Sequence, residues 1–333
     1  MTQLSVLDLS PITADGCAGD SLRNTLDLAQ HAEQWGYQRY WLAEHHNMAG
    51  IASAATAVVI GHVAAGTKTI RVGAGGVMLP NHSPLVIAEQ FGTLEALFPG
   101  RIDLGLGRAP GSDQATAYAL RRNLHADVDQ FPNDVVELMS YFGEAKPGQQ
   151  IHAFPGRGLN VPIWILGSSL FGAQLAASLG LPYAFASHFA PDQMLAAIKI
   201  YRERFRPSAQ LSKPYVMLGF NIFAADTDAQ ANYLASSMQR AFVNLRRGNP
   251  GKLQPPVDNY LQELSLSEQS LLQNIMSCSA IGSPDTVLEK TRQFIAKTGA
   301  DELMITSQIY DHTARLRSYE IVGAMQKQLN GEA

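Results

Sequence analysis

The sequence predicts a (β/α)8 barrel, a TIM barrel, with insertions in the loops at the carboxyl ends of its strands. Short runs rich in β-branched residues alternate with longer stretches of helical periodicity along the chain, which is typical of parallel sheets. Eight such units can be counted in the 333 residues, and this length suits a barrel with insertions better than an open doubly wound sheet. No repeat or long linker divides the chain, so one barrel domain over residues 1–333 is expected.

The individual elements follow from local patterns. Strands are predicted from short apolar runs at residues 5–9, 40–43, 69–78, 102–106, 163–166, 183–186, 215–223 and 302–306. Helices are predicted where apolar residues recur at helical spacing, as Leu22, Leu26 and Ala29 do before the terminating Gly36. They cover residues 22–35, 54–65, 85–97, 134–142 and 227–245, and three more begin at 168, 191 and 284. Residues 246–277 are predicted to form a polar loop with a short helix.

The composition excludes several functional classes. With 46% hydrophobic and 16% charged residues, the chain is predicted to be globular and not disordered. Its net charge of −4 and its lack of a Lys/Arg run argue against nucleic-acid binding. Cys17 and Cys278 lack the spacing of a disulfide framework or a zinc site. The sequence starts without a signal-peptide pattern, and the apolar stretch 51–66 is short of the ~20 residues of a membrane span, so a cytoplasmic protein is expected.

Nucleotide and metal motifs are missing or incomplete in the sequence. Gly105-Leu106-Gly107 continues with Pro110 where the dinucleotide fingerprint G-x-G-x-x-G requires glycine. No H-E-x-x-H motif occurs, and the successive side chains of Glu44-His45-His46 would alternate in direction if the segment is extended. No metal site is therefore predicted, although ligands from other strand ends would still permit a metal-dependent barrel hydrolase.

Polar and glycine residues collect where the predicted strands end, and in a barrel these ends form the active-site mouth. The groups concerned are Glu44-His45-His46, Gly75-Gly76, Gly107-Arg108, Gly167-Ser168-Ser169 and Ser187-His188. Each also has a simpler explanation: a bulge for the paired glycines, a helix cap for the serines and a hydrogen-bonded rim position for His188. Together, however, a helix N-terminus at Ser168 and the adjacent Arg108 favour a phosphorylated cofactor.

Three segments resemble the bacterial luciferase-like, or alkanal monooxygenase-like, flavin monooxygenases. They are Tyr40-Trp41-Leu42-Ala43-Glu44-His45-His46, residues 67–80 with Gly73-Ala74-Gly75-Gly76, and residues 100–108 with Gly105-Leu106-Gly107-Arg108. Residues 162–182 and Gly282-Ser283-Pro284 continue the likeness in order, so that it spans nearly the whole chain.

The resemblance implies a barrel that binds FMN at its carboxyl-end mouth. In that family, reduced FMN reacts with O2 to a C4a-peroxyflavin, which transfers one oxygen atom to an organic substrate. By position, His45 resembles the catalytic histidine, a general acid or base. Gly75-Gly76 lies where the family has a non-prolyl cis peptide beneath the isoalloxazine, and Arg108 resembles the phosphate-binding arginine. The other expected flavin contacts are Glu44, Gly107, Leu166, Ser168, Ser169, Gly172 and His188.

The sequence also departs from luciferase itself. Gly107 replaces a cysteine that lies near the flavin there, and residues 246–277 differ from the lid region, so neither light emission nor the substrate follows from the resemblance. An aldehyde or a ketone is one expectation for the substrate. Because no dinucleotide fingerprint is present, a separate NAD(P)H:flavin reductase is expected to supply reduced FMN, and the apolar helix near residues 52–65 is expected to form a homodimer.

Two further alternatives stay open beside the metal-dependent hydrolase. One is a flavin-binding protein without its own catalysis, comparable to the non-catalytic subunit of luciferases. The other is a deazaflavin-dependent dehydrogenase of the same wider family. The retained His45 and the phosphate-binding pattern around Arg108 argue against the non-catalytic protein, whereas the sequence does not exclude the dehydrogenase.

Overall fold

A computed structural model describes residues 1–109, 114–121, 130–145, 147–329 and 331. Eight parallel strands form a closed barrel within this part of the chain. They are β1 (Gln3–Asp8), β2 (Arg39–Leu42), β3 (Arg71–Met78), β4 (Ile102–Gly107), β5 (Ile163–Gly167), β6 (Tyr183–Phe185), β7 (Val216–Ala224) and, last in the chain, β9 (Glu302–Thr306). Neighbouring strands pair in this order, and β9 pairs with β1, which closes the ring. The predicted (β/α)8 barrel is confirmed.

A short ninth strand, β8 (Ser279–Gly282), lies outside the ring. It pairs in parallel with the carboxyl-terminal part of β7, where Asn221 is opposite Ser279 and Ala224 is opposite Gly282. The pairing of β7 with β6 and β9 involves residues no later than Asn221, so β8 extends the sheet only beside the mouth. The sequence analysis did not predict β8, because four residues directly after a polar segment give little periodicity.

Helices connect the strands and cover the outside of the barrel. They are α1 (Ala18–Gln34), α2 (Thr56–Gly66), α3 (Pro84–Leu97), α4 (Gln114–Arg121), α5 (Phe131–Phe142), α6 (Leu170–Leu179), α7 (Met194–Arg204), α8 (Asp228–Arg246), α9 (Leu266–Ile275), α10 (Pro284–Thr298), α11 (His312–Ala324) and α12 (Gln326–Leu329). The predicted start at Ser168 was wrong by two residues, because Ser169 is an extended N-cap with φ −141° and ψ 172°. The start predicted at 191 was wrong by three residues. Helices α4, α11 and α12 were not predicted.

The hydrophobic core consists mainly of the outward-facing side chains of the strands and the inner faces of the helices. All nine residues of β7 are buried, as expected of a strand that is covered on both sides. A smaller apolar cluster, which includes Leu7, Trp41, Trp164 and Met217, fills the inside of the barrel. It forms the apolar floor of the mouth. None of the described helices is both long enough and apolar enough to cross a membrane.

A buried ionic network closes the amino-terminal end of the barrel. Arg39 binds Asp103 through Nη1 and Glu302 through Nε, both at 2.8 Å, and the two carboxylates are fully buried. Arg71 binds Asp103 at 2.6 Å, and the Tyr215 hydroxyl donates to Glu302 at 2.9 Å. Buried carboxylates require such partners, since an unpaired charge inside a protein is costly. The network fixes the end of the barrel opposite the mouth.

Candidate functional site

A cavity of about 790 Å3 lies at the carboxyl-terminal mouth of the barrel. Its volume is within the range typical of sites for small molecules and cofactors. The cavity brings together all eleven residues that the sequence analysis selected. These are Glu44, His45, Gly75, Gly76, Gly107, Arg108, Leu166, Ser168, Ser169, Gly172 and His188.

The paired glycines of β3 form a closely packed part of the cavity wall. The peptide bond between Gly75 and Gly76 is cis, and the register between β3 and β4 shifts here. A Cβ at Gly75 would lie 2.9 Å from a methyl group of Leu7, and a Cβ at Gly76 would lie 2.8 Å from the carbonyl oxygen of Gly105. Real Cβ atoms do not approach other atoms so closely. Packing against the backbone of β4 therefore requires glycine at position 76, whereas a Cβ at position 75 would require the Leu7 side chain to shift.

At Gly107, at the end of β4, no neighbouring atom of the protein would crowd a Cβ. The nearest atom to a Cβ built there is the Val77 carbonyl oxygen, at 3.8 Å. Packing within the protein therefore leaves room for a side chain at Gly107. Because Gly107 lines the cavity, any side chain there would take space from a bound molecule.

A cationic group and a helix N-terminus lie together at one side of the cavity. The Arg108 guanidinium lies over the Phe171 ring, 4.1 Å from its centroid, and no carboxylate of the described residues forms an ion pair with it. Ser169 is the N-cap of α6, but its side chain makes no capping hydrogen bond. The backbone N–H of Leu170 donates to Oε1 of Gln193 at 3.3 Å, and the other N–H groups of the first turn belong to the turn that contains Phe171, against which Arg108 packs. This arrangement favours an anion such as a phosphate.

Two histidines face the same cavity, and both are half-buried. Burial lowers the pKa of His188 to about 4, with a smaller contribution from His45. Burial likewise lowers the pKa of His45, although the Glu44 carboxylate opposes this. Within the described part of the chain, Nδ1 of His188 has no hydrogen-bond partner. Both imidazoles are therefore neutral at neutral pH and are able to accept a proton.

Glu44 connects the loop after β2 with the end of β3. Its carboxylate is almost completely buried, and Oε1 accepts hydrogen bonds from Nε2 of His46 and Nε2 of His82, both at 2.8 Å. Oε2 accepts from the backbone N–H of Met78 at 3.1 Å. Burial alone would raise the pKa of Glu44. The hydrogen bond and the charge of His82 have a larger combined effect with the hydrogen bonds from His46 and the Met78 N–H, so the pKa of Glu44 is lowered.

The sequence analysis missed His82. Glu44 and His45 both line the cavity whereas His46 does not, so successive side chains of this segment, which is not a strand, do not strictly alternate between two sides. His82 follows the short 3-10 turn Leu79–Asn81 that continues β3. A polar residue just beyond a strand end was the signal that could have identified it.

An apolar wall, also not predicted, closes the cavity opposite the strand ends. The loop after β2 contributes Met48 and Ile51, the second half of α8 contributes Phe242 and Leu245, and the following segment contributes Leu253. Helical spacing places the α8 residues on one face of that helix. Glu44 and Arg108 are the charged residues among the described lining.

Comparisons with known proteins agree with this architecture. A family model described as luciferase-like monooxygenase matches residues 2–302. A protein of Escherichia coli strain K12 named luciferase-like monooxygenase is 55% identical over 327 residues, which is 98% of each chain. The crystal structure of apo-MsnO8 is similar with a TM-score of 0.86 and 33% identity, over 97% of this chain and 98% of that one.

More distant structures share the fold and differ in cofactor. The oxygenating constituent of 3,6-diketocamphane monooxygenase from Pseudomonas putida, a type II Baeyer–Villiger monooxygenase solved with FMN, has a TM-score of 0.72 and 18% identity over 100% of this chain and 99% of that one. An F420-dependent secondary alcohol dehydrogenase has a TM-score of 0.70 and 16% identity over 96% and 97% of the two chains. Neither similarity assigns a cofactor to this chain.

Proposed function

Because the chain belongs to the luciferase-like monooxygenase family, we propose that it uses reduced FMN and O2 to oxygenate a small organic substrate. One observation carries this proposal: a single cavity has an anion-binding end at Arg108 and α6, and a wall of glycines and neutral histidines. FMN has the matching parts, a phosphate and a planar isoalloxazine ring.

The phosphate of FMN would bind at the N-terminus of α6. Arg108 supplies a cation there, and Ser168, Ser169 and the first-turn N–H groups supply hydrogen-bond donors. Phe171 holds the guanidinium from one side, which leaves its other face and edges for the phosphate. Gly172 belongs to this first turn, and a Cβ there would approach the Tyr183 ring to 3.3 Å.

The isoalloxazine ring would lie along the wall formed by Gly75, Gly76 and Gly107, with Leu166 as an apolar neighbour. The absence of side chains on this wall allows a flat ring to approach the backbone closely. Reduced FMN, when bound, would supply the electrons that activate O2. The apolar floor of the barrel excludes bulk water from below the ring.

His45 is the residue that we assign to proton transfer. It reaches the cavity from the loop after β2, and its neutral imidazole accepts a proton from the substrate or the flavin and returns it. Glu44, the residue before this histidine, accepts hydrogen bonds from the His46 imidazole and from the backbone N–H of Met78, and so connects the loop that carries His45 to the end of β3. His188 lines the same cavity, and its burial keeps it neutral there.

The apolar wall supports a proposal for the class of substrate. Met48, Ile51, Phe242, Leu245 and Leu253 offer van der Waals contacts but no partner for a charged group. We therefore propose an uncharged and mostly apolar substrate, for which an aldehyde or a ketone is suitable. Oxygen transfer to such a carbonyl compound gives an acid or an ester.

A separate flavin reductase is proposed as the source of reduced FMN. The described barrel has one mouth cavity with room for a flavin, and the sequence has no fingerprint for NAD(P)H. With NAD(P)H as the sole reductant, the purified protein should show no substrate oxidation. Addition of a flavin reductase should start it, and oxidation with NAD(P)H alone would contradict this part of the proposal.

A homodimer through α2 is also proposed. This helix is apolar around most of its surface, yet Val58 on it is 73% exposed, and Val86 at the start of the adjacent α3 is 46% exposed. Exposed apolar residues on neighbouring helices are typical of a contact surface. Sedimentation at micromolar protein should give a dimer, and Val58→Asp should give a monomer; a monomeric natural protein would refute the proposal.

An anaerobic titration tests the cofactor directly. The protein is titrated with reduced FMN and, in parallel, with reduced F420, and O2 is then admitted while absorbance is followed. We expect reduced FMN to bind and, after O2, a transient absorbance distinct from that of oxidised FMN. Binding of F420 in place of FMN would support the deazaflavin-dependent dehydrogenase, and binding of neither would remove the flavin assignment.

A further inference from the structure

We propose that Glu44, His46 and His82 form a binding site for a divalent transition-metal ion, for which Zn2+ is the best match. One carboxylate oxygen and two imidazole nitrogens lie within 4.8 Å of one another, a spread that one ion can bridge. The set of two histidines and one carboxylate is a ligand combination that zinc uses in proteins. This inference does not depend on the proposed function.

The geometry requires little movement to admit an ion. Both Nε2 atoms lie 2.8 Å from Oε1 of Glu44, so all three atoms already converge on one point. Tetrahedral bonds of about 2.0–2.2 Å from a central zinc ion would separate these atoms by slightly more than 3 Å. A rotation of the His46 and His82 side chains that moves each Nε2 atom by roughly half an ångström would open that space. The rings themselves lie 6.5 Å apart and are tilted by 51°, so they do not stack against each other.

The charge balance around Glu44 favours a cation. Its side chain is only 3% exposed, and among the described residues no lysine or arginine forms an ion pair with it. A bound divalent ion would supply positive charge directly beside this buried carboxylate. The buried carboxylate is thus the anchor of the site.

The site is accessible from solvent and separate from the proposed phosphate end of the cavity. His46 and His82 are 17% and 26% exposed, and neither lines the cavity. An ion can therefore reach the imidazoles from solvent, and Glu44 is the one of the three ligands that also lines the cavity. Within the described residues, the site has three ligands from His, Cys, Asp or Glu side chains, which leaves a fourth tetrahedral position to water.

Metal titration of the whole protein tests the site without a need for activity. The protein is treated with EDTA, exchanged into chelator-free buffer and titrated with ZnCl2 in a calorimeter. A Cys17→Ser background is used, because Cys17 is an exposed thiol and thiolates are zinc ligands in their own right. We expect one Zn2+ per chain. His82→Gln should weaken binding at least about tenfold, since even outer-shell partners of metal sites cost that much when removed.

Two controls make the result decisive. His62→Gln removes an exposed imidazole from α2 and should leave Zn2+ binding unchanged, and circular dichroism should show that both variants are folded. With Co2+ in place of Zn2+, a visible absorbance typical of tetrahedral coordination should appear and should be lost in His82→Gln. If the natural side chains bind no Zn2+ at low micromolar concentration, or if His82→Gln and His62→Gln bind it equally, the three residues are a hydrogen-bonded cluster only.

Discussion

The Arg108 guanidinium is held against the Phe171 ring, with its Cζ 4.1 Å from the ring centroid. Arg108 follows the last residue of β4, and Phe171 is in the first turn of α6. This contact therefore fixes a positive charge beside a helix N-terminus, where two strand ends of the barrel meet.

Replacement of Arg108 tests the phosphate end of the site. Charge-assisted hydrogen bonds contribute about 1.5–3 kcal/mol, so Arg108→Gln should weaken FMN binding roughly 10- to 150-fold. Quenching of FMN fluorescence measures the affinity. Arg157→Gln is the matched control, because Arg157 is exposed and does not line the cavity. Equal affinities for the two variants would disprove the role of Arg108.

Replacement of His45 separates binding from chemistry. A positioned acid or base contributes about 10²- to 10⁴-fold to a rate, so His45→Gln should lower turnover by such a factor while FMN affinity changes little. Single-turnover oxidation of a test aldehyde by preloaded reduced FMN measures it. His152→Gln, a histidine outside the cavity, should keep both values. Loss of FMN binding with unchanged turnover per bound flavin would rule out the proposed role.

Gly219 of β7 leaves space for the imidazole of His188. A Cβ at Gly219 would overlap Nδ1 of that imidazole, which already packs against Phe189 at 5.2 Å between ring centroids. Gly219→Ala should therefore displace His188 and lower the free energy of unfolding by about 1–3 kcal/mol, the usual cost of overpacking. Urea denaturation measures it. Gly251→Ala, also at the cavity but with no atom within 4 Å of its Cβ, should be nearly neutral; equal losses would exclude this explanation.

The lowered pKa of His188 predicts a pH-dependent stability. The unfolded chain binds a proton at this histidine below about pH 6.5, but the folded chain does so only below about pH 4. In this window the unfolded state holds more protons, so the free energy of unfolding should fall as the pH decreases from 6.5 to 4, by about 1–3 kcal/mol from this residue. Denaturation of the natural protein and of His188→Gln at several pH values tests the prediction. Identical slopes would refute it.

The sequence predicted the barrel because each of its eight strands is a short apolar run followed by a turn or a polar group. It predicted the mouth residues because the carboxyl ends of parallel strands must meet, which placed Glu44, Arg108 and Ser168 together before any contact was known. Gly75 and Gly76 were identifiable because paired glycines within a strand are unusual. Periodicity and strand order thus determined most of the site.

Contacts between distant segments could not be predicted in the same way. The pairing of His82 with Glu44 depends on the path of the turn after β3, and the pairing of Arg39 with Asp103 and Glu302 depends on the register of three strands. A single sequence contains no signal for such registers when the residues are far apart in the chain. Residues 110–113, 122–129 and 146 of the long β4–β5 connection, for which no helix or strand was predicted, lie outside the described residues.

The amino-terminal network gives the last prediction. Among the described residues, Arg39 is the cation that forms an ion pair with Glu302. Burial alone would lower the pKa of Arg39, but the charges of Glu302 and Asp103 outweigh burial and raise this pKa. Arg39→Met would leave Glu302 buried with hydroxyl donors alone, and loss of one partner of a buried ion pair costs about 3–5 kcal/mol. Arg23→Met removes an exposed pair with Asp20 and should cost less than about 1 kcal/mol. Urea denaturation compares the stability of the two variants. Loss of the cation leaves an unpaired charge only where the carboxylate is buried, so equal denaturation midpoints would show that the network does not stabilise the barrel.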